Sequence, residues 1–381
     1  EIPPFVGLGY RVILYRSENN GVSWEFVGYL DSYDNYTVIG DPVMAIDNQG
    51  RVYLLVMEYL NDSDLTLHLT LYVSEDDGQT WNIQSQPYVG EKFADTPDFR
   101  IDGDDRFYVS YSVYNNSAVF PSEVHFIRSE DQGLSWTEPE VFEATQSDNV
   151  IGSNFNFSQG NQINLVFADY SFPIAYYTAS SDFGNVWDTV VEIPIFDPFS
   201  VNKVVSRKEF ESICVFSHRA HDPTAGIYYN YSLDNGGTWD NYFFSENASM
   251  AEGCMDEQGN VHVTYNHFVG NVFELIYVYS TDGGITFTEP EVVFSGLCAY
   301  ELPLPNDIQL TSGESQSMKL GEDNNLHMSF VDWTDFTRAK HLVFEPFNFI
   351  SPIKSTSAAI ANIRVYPNPS SDHLKVNFDN S

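Results

Sequence analysis

Ser74-Glu-Asp-Asp-Gly-Gln-Thr-Trp81 follows the apolar run Leu69-Thr-Leu-Tyr-Val73, and its pattern returns five more times along the chain. Two copies are Ser17-Glu-Asn-Asn-Gly-Val-Ser-Trp24 and Ser129-Glu-Asp-Gln-Gly-Leu-Ser-Trp136. The others are Ser180-Ser-Asp-Phe-Gly-Asn-Val-Trp187, Ser232-Leu-Asp-Asn-Gly-Gly-Thr-Trp239 and Ser280-Thr-Asp-Gly-Gly-Ile-Thr-Phe287. The copies recur every 48–57 residues, each after a strand-like run such as Leu275-Ile-Tyr-Val-Tyr279. Such a pattern reads as a hairpin turn. The acidic or Asn side chain accepts backbone N–H bonds within the turn, and Gly supplies a positive φ without steric cost. The closing aromatic is expected to pack beneath the hairpin.

A second repeat lies between these turns, also in six copies. The segments 51–59, 106–114, 162–170, 211–219, 260–268 and 325–333 align without gaps. Alternate positions are apolar, with Val56, Tyr111, Phe167, Phe216, Tyr265 and Phe330 in one column, as a buried strand face requires. Tight turns such as Asp47-Asn-Gln-Gly50 and Asp256-Glu-Gln-Gly259 precede them, each after an incoming strand. One unit is therefore a meander of strands A and B followed by C and D around the hairpin turn. Six such units predict an all-β, six-bladed propeller of four-stranded antiparallel blades. The hairpin within 11–30 and the A–B pair of 315–333 are expected to complete one blade and close the ring. The strand-like segment 339–344 is surplus to that count and leaves a seven-bladed alternative open.

The turn resembles the Asp box of the sialidase-like (BNR repeat) propellers. Asn19 stands for Asp in the first copy and Val186 for Thr in the fourth. In that family the box is structural, so the resemblance implies no catalytic role for it. After a small, polar linker at 351–362 comes Val365-Tyr-Pro-Asn-Pro369, followed by spaced apolar residues. That segment resembles the start of the type A C-terminal sorting domain of the type IX secretion system. The resemblance implies residues 1–350 as propeller, 363–381 as a truncated sorting domain, the secretion machinery as a partner, and a secreted or cell-surface protein.

Composition narrows the function classes. Aromatic side chains (29 Phe, 24 Tyr, 6 Trp) supply a large core, while 54 acidic against 17 basic residues leave a net charge of −37. Such a surface repels nucleic acid and anionic membranes and fits a salty medium. No run of 18 apolar residues offers a membrane span. The start at Glu1, without Met or signal peptide, reads as a processed protein or a fragment. Cys214, Cys254 and Cys298 lack metal spacing; one disulfide could form, and the sequence leaves its pairing open. Asp102-Gly-Asp-Asp105 and Asp62-Ser-Asp64 lack the twelve-residue calcium-loop pattern, so neither metal nor cofactor is expected.

Topology sorts the faces of the disc. A–B and C–D turns share one face; the longer B–C and D–A connections share the other, where sialidase-like propellers place their sites. Two columns are expected to reach that face. One sits at the end of strand B: Glu58, Val113, Asp169, His218, His267 and Asp332, with neighbours Tyr59, Tyr114, Tyr170, Arg219, Phe268 and Trp333. The other opens strand A: Val43, Asp98, Asn154, Lys203, Glu252 and Ser317. Carboxylates, imidazoles, a cation and aromatics at a channel mouth suit a glycan, the aromatics by stacking. The family's three arginines and R-I-P motif are not matched: Arg100-Ile101 is followed by Asp102 and lies late in its strand. Only Arg219, and Arg338 in a following loop, remain for the face, which argues against sialidase activity. A glycan-binding propeller is the leading reading. The alternative is a polysaccharide-degrading enzyme. A glycoside hydrolase would pair Asp169 with Asp332 or Glu58 with Asp98, about 5–10 Å apart. A uronic-acid lyase would use His267, His218 or Tyr170 with Arg219. Tyr59, Asp98, Tyr114, Lys203, His218, Glu252 and Trp333 are the expected binding residues.

Overall fold

Six inner strands surround one axis: Tyr36–Ile46, Phe93–Ile101, Val150–Ser158, Ser200–Ser206, Ala248–Met255 and Ser317–Leu320. In this computed structural model, residues 12–32, 36–60, 67–90, 92–114, 122–143, 147, 149–169, 171–195, 200–219, 226–270, 272–297, 317–321, 324–332, 338–344, 346, 364–366 and 375–377 are described. Each inner strand opens a blade, numbered I to VI here, and the whole is a six-bladed, all-β propeller. Blades I to V are four-stranded antiparallel meanders in chain order, and blade VI shows three strands. Among the described residues no helix is long and apolar enough to cross a membrane.

The blades stack through their alternating apolar faces. The column Val56, Tyr111, Phe167, Phe216, Tyr265 and Phe330 is buried in every copy, at 3 % exposure or less. Leu69, Leu71 and Tyr53 of blade I meet Phe99, Phe107 and Tyr111 of blade II in one cluster. Equivalent clusters join II to III, III to IV, IV to V and V to VI. Stability is therefore distributed around the ring as a chain of neighbour contacts.

The six hairpin turns share one hydrogen-bond scheme. In the second, the Gly78 N–H donates to Ser74 Oγ at 2.8 Å, and the Thr80 N–H and hydroxyl donate to Asp76 at 2.8 and 2.6 Å. These bonds, the Thr80 hydroxyl first, hold the Asp76 carboxyl down at about 2. The residue before the Gly is also left-handed, as at Asp77 (φ 57°) and Phe183 (φ 66°), which the composition of the turn did not announce. The closing aromatic keeps to its own turn, as where the Trp24 and Trp81 indoles donate to the Gly21 and Gly78 carbonyls at 3.2 Å, and it also reaches the neighbouring blade. Trp187 of blade III packs on Phe126 and Phe142 of blade II, with centroids 4.8 and 5.0 Å apart. Trp239 of blade IV packs likewise on Tyr177 of blade III. Each turn thus clips its blade to the one before it.

Ring closure differs from the expectation. The hairpin of Ile13–Arg16 and Glu25–Tyr29 forms its own two-stranded sheet. The strand that pairs with Leu326–Asp332 is Arg338–Phe344, the segment read as surplus. Leu342 and the buried Phe344 give that strand an apolar face matching Met328 and Phe330, which explains the pairing. It also places Arg338 at the head of a strand rather than in a loop. The terminal hairpin then packs between blades VI and I, with Leu14 and Leu30 against Leu54, Val56 and Tyr72. Cys214 and Cys254 are free thiols. Cys298 and the linker 351–362 lie outside the described residues, and Arg364–Tyr366 pairs with Lys375–Asn377 beyond it.

Candidate functional site

Strand A carries a register shift in blades I, II, III and V. At each shift one residue is left-handed: Asp41 (φ 48°), Thr96 (φ 48°), Gly152 (φ 66°) and Met250 (φ 61°). For a β-branched residue such as Thr96 this conformation is strained, and strain of this kind gathers where a chain must aim particular side chains. The bulge kinks the strand just before it meets the axis. Beyond it come Val43, Asp98, Asn154 and Glu252. Blade IV has no bulge; there Val204 takes the repeat position of Asp98, Asn154 and Glu252, and Lys203, one residue earlier, reaches across to Glu252.

These side chains face one another around the axis. Lys203 Nζ lies 2.8 Å from Glu252 Oε1, joining blades IV and V. Asn154 Nδ2 and the Phe155 N–H donate to Asp98 Oδ2 at 2.9 and 3.1 Å, joining III to II. The Val204 N–H donates to Asn154 Oδ1 at 2.8 Å, joining IV to III. Arg100 Nη2 is 3.3 Å from Asp98 Oδ2. Lys203 senses Asp98 and Arg100 of blade II, and Lys319 of blade VI senses Arg100, Asp98 and Glu252. Since II is adjacent to neither IV nor VI, these charges act on one another across the axis. Lys203 is half-buried and Lys319 is exposed. Enclosure disfavours the charged Lys203 amine, but Glu252 beside it wins and lifts its pKa above the ordinary value.

Asp98 is thus linked through Asn154 to Val204, whose neighbour Lys203 pairs with Glu252. The strand-B column differs. Glu58 is fully buried and accepts hydroxyl bonds from Thr70 and from Tyr72, the latter at 2.5 Å. Asp169 is equally buried and takes the N–H groups of Ser171 and Phe172 with the hydroxyls of Ser147 and Tyr176, at 2.7 to 3.1 Å. His218 is buried with both ring nitrogens unbonded; burial first, then Lys203, pushes its pKa down to about 3. The expectation that this column meets solvent is corrected for these three. Strand B is second from the axis, so its flank is covered by strand C and by the next blade.

His267 does keep contact with water, and its Nδ1 stands 3.6 Å from Glu274 Oε2. Tyr114 bonds Asp95 at 2.7 Å and stacks on Phe93. Tyr59, Arg219 and Asp332 lie on strand B, but their side chains are outside the described residues. Tyr170 and Trp333 are outside them altogether.

Arg100 and Lys319, which the sequence reading did not single out, also stand on the inner strands. The B-strand alignment makes them equivalent: Arg100 pairs with Tyr108 and Lys319 with His327, the same repeat position. The signal was present two residues after Asp98 and Ser317, on the same strand face. Among the described residues no group of three His, Cys, Asp or Glu is arranged to hold a metal. Asp102 is occupied by its own turn, taking the Asp104 and Arg106 N–H groups, Arg106 Nε and the Tyr108 hydroxyl.

Neither protein-family models nor curated proteins give a match to this chain. Solved structures do. The NanB sialidase of Streptococcus pneumoniae aligns with a TM-score of 0.55 at 11% identity, over 89% of this chain and 71% of that one. An α-L-arabinofuranosidase of Fusarium graminearum aligns with a TM-score of 0.54 at 11% identity, over 76% and 87%. A polysaccharide lyase described as an ulvan lyase aligns with a TM-score of 0.53 at 12% identity, over 80% and 79%. The chain thus has the fold of the sialidase-like propellers.

Proposed function

We propose that this chain is an exported glycan-binding propeller that holds its ligand at the channel mouth formed by Asp98, Asn154, Lys203 and Glu252. The observation that carries the proposal is this polar layer on the inner strands, in which Lys203 and Glu252 keep contact with water while the buried Asp98 and Asn154 brace it, set beside acids that are sealed off. Glu58 and Asp169, one carboxylate from each of the two pairs a hydrolase would have used, are buried and engaged in hydrogen bonds. A hydrolytic acid needs access to the glycosidic oxygen, which buried strand-flank groups lack. The propellers of similar fold include a sialidase, an arabinofuranosidase and a lyase, so the architecture accommodates sugars in several chemistries.

In the same reading the six turns are Asp boxes and residues 363–381 open a type IX sorting domain, which supports export to the cell surface or beyond. One observation favours a second reading, that of a lyase. His267, water-exposed and 3.6 Å from Glu274, has the form of a base with an orienting acid. A glycan array combined with a turnover screen on acidic and neutral polysaccharides tests both. Binding without product release is expected. Release of unsaturated or hydrolysed sugars would replace the binding reading with the enzymatic one.

A further inference from the structure

The channel reverses the charge of the chain that builds it. The whole sequence carries a net charge of −37 with 17 Lys and Arg residues. Yet among the described residues the inner strands carry Arg100 beside Asp98, Lys203 beside Glu252, and Lys319 at the repeat position of Arg100. Glu252 is committed to Lys203 at 2.8 Å. Asp98 is shared among Asn154, the Phe155 N–H and Arg100. Arg100 and Lys319 occupy one layer, a step of two residues along strand A from Asp98, or about 7 Å deeper.

That layer is short of negative charge. The Lys319 side chain makes no hydrogen bond or ion pair among the described residues, and water reaches it. Arg100 Nε is buried and donates to nothing, although the guanidinium carbon lies 5.6 Å from the Phe155 ring centroid. Repulsion from Arg100, then enclosure, lowers the pKa of Lys319, with Asp98 and Glu252 offsetting only part. Two cations at one repeat position of the inner strands, one with an unused donor and the other without a side-chain partner among the described residues, would be stabilised by an anion that joins them. The acidic outer surface does not forbid that anion: charges more than about 8–10 Å away are screened at ordinary salt, whereas those lining the channel are not.

We propose that the axial channel is an oxyanion site, in which Arg100 and Lys319 clamp a carboxylate or sulfate group. The guanidinium offers the planar fork suited to two oxygens, and the amine adds a point charge from the facing blade. The site itself stands on the channel residues alone. That the oxyanion belongs to an acidic sugar rests on the glycan reading above.

Thermal melting and calorimetric titration with sodium sulfate and with sodium glucuronate, against sodium chloride at equal ionic strength, test the proposal; glucose is the neutral control. Millimolar sulfate or glucuronate should raise Tm, and Lys319→Gln and Arg100→Gln should each weaken the apparent affinity about tenfold or more. Comparison with the variants removes the general stabilisation that sulfate gives any protein. In chloride alone, Lys319→Gln should melt no lower than the parent chain, because it relieves the repulsion. A response to glucuronate but not sulfate assigns the site to a sugar acid. A response to sulfate alone assigns it to an inorganic or ester sulfate. Absence of any response, or a response undiminished in both variants, overturns the site. Acidic glycans bound on an array without any anion response would sink the site and leave the glycan reading standing.

Discussion

The Trp24 indole meets the His341 imidazole edge-on, with ring centroids 5.1 Å apart, and this contact joins the N-terminal hairpin to the last blade. It repeats the relation of Trp187 to Phe126 and of Trp239 to Tyr177, one blade's turn on the third strand of the blade before. A Cβ on Gly21, whose φ is +80°, would lie 2.6 Å from the same imidazole. Gly21→Ala should therefore destabilise the protein by about 1–3 kcal/mol through both backbone strain and collision. Hydrogen exchange should quicken first in residues 12–32 and 338–344. An unchanged melting curve would show that the hairpin does not close the ring.

Acid should weaken the fold through two imidazoles, His218 buried and His341 half-buried. His341 lies 3.2 Å from His327 Nδ1, and burial, then His327, lower its pKa to about 4; His218 stands at about 3. Both are neutral when folded, while the unfolded chain binds the proton near pH 6.5. The stability they contribute is whole above about pH 6.5 and drains as pH falls toward 4. His218→Phe, which removes two unbonded buried nitrogens, should raise Tm more at pH 5 than at pH 8. An equal change at both values would mean that His218 does not titrate on unfolding.

The hairpin turns should matter for stability and not for ligand. Asp76→Ala in the second turn removes the acceptor of the Thr80 and Gln79 N–H groups and of the Thr80 hydroxyl. A lower Tm with unaltered glycan affinity is the expected result. Lost affinity in a folded variant would place the ligand on the wrong face of the disc.

The strand count and blade stacking were legible because a period-two pattern repeated six times leaves one solution for the faces. The Val56–Phe330 column is buried throughout, as read. Closure was not legible, since 339–344 carries too short a pattern to be told from an extra edge strand. The site was half legible. Asp98, Lys203 and Glu252 stand at the opening of strand A, where any polar residue must face the axis. Glu58, Asp169 and His218 misled because the sequence shows alternation along strand B but not what strand C lays over it. The bulges at Asp41, Thr96, Gly152 and Met250 were hidden by aligning the B strands, which carry none of them.

Export is a separate proposal with its own test. Residues 351–381 contribute nothing described to the blade clusters, so their deletion should leave Tm nearly unchanged. In the native host the same deletion should abolish secretion. Normal secretion of the shortened chain would remove the sorting reading without touching the propeller.

The most direct test of the binding account compares glycan affinity in Lys203→Gln and Asp169→Asn, using the best ligand from an array. Lys203 Nζ sits in the wet layer beside Glu252, whereas Asp169 is sealed among four donors. Lys203→Gln should weaken binding about tenfold, roughly 1.4 kcal/mol, with little change in Tm. Asp169→Asn should lower stability by about 1–3 kcal/mol and leave the affinity of the folded protein alone. Full affinity in Lys203→Gln together with lost affinity in a folded Asp169→Asn would contradict the account and return the site to the ends of the second strands.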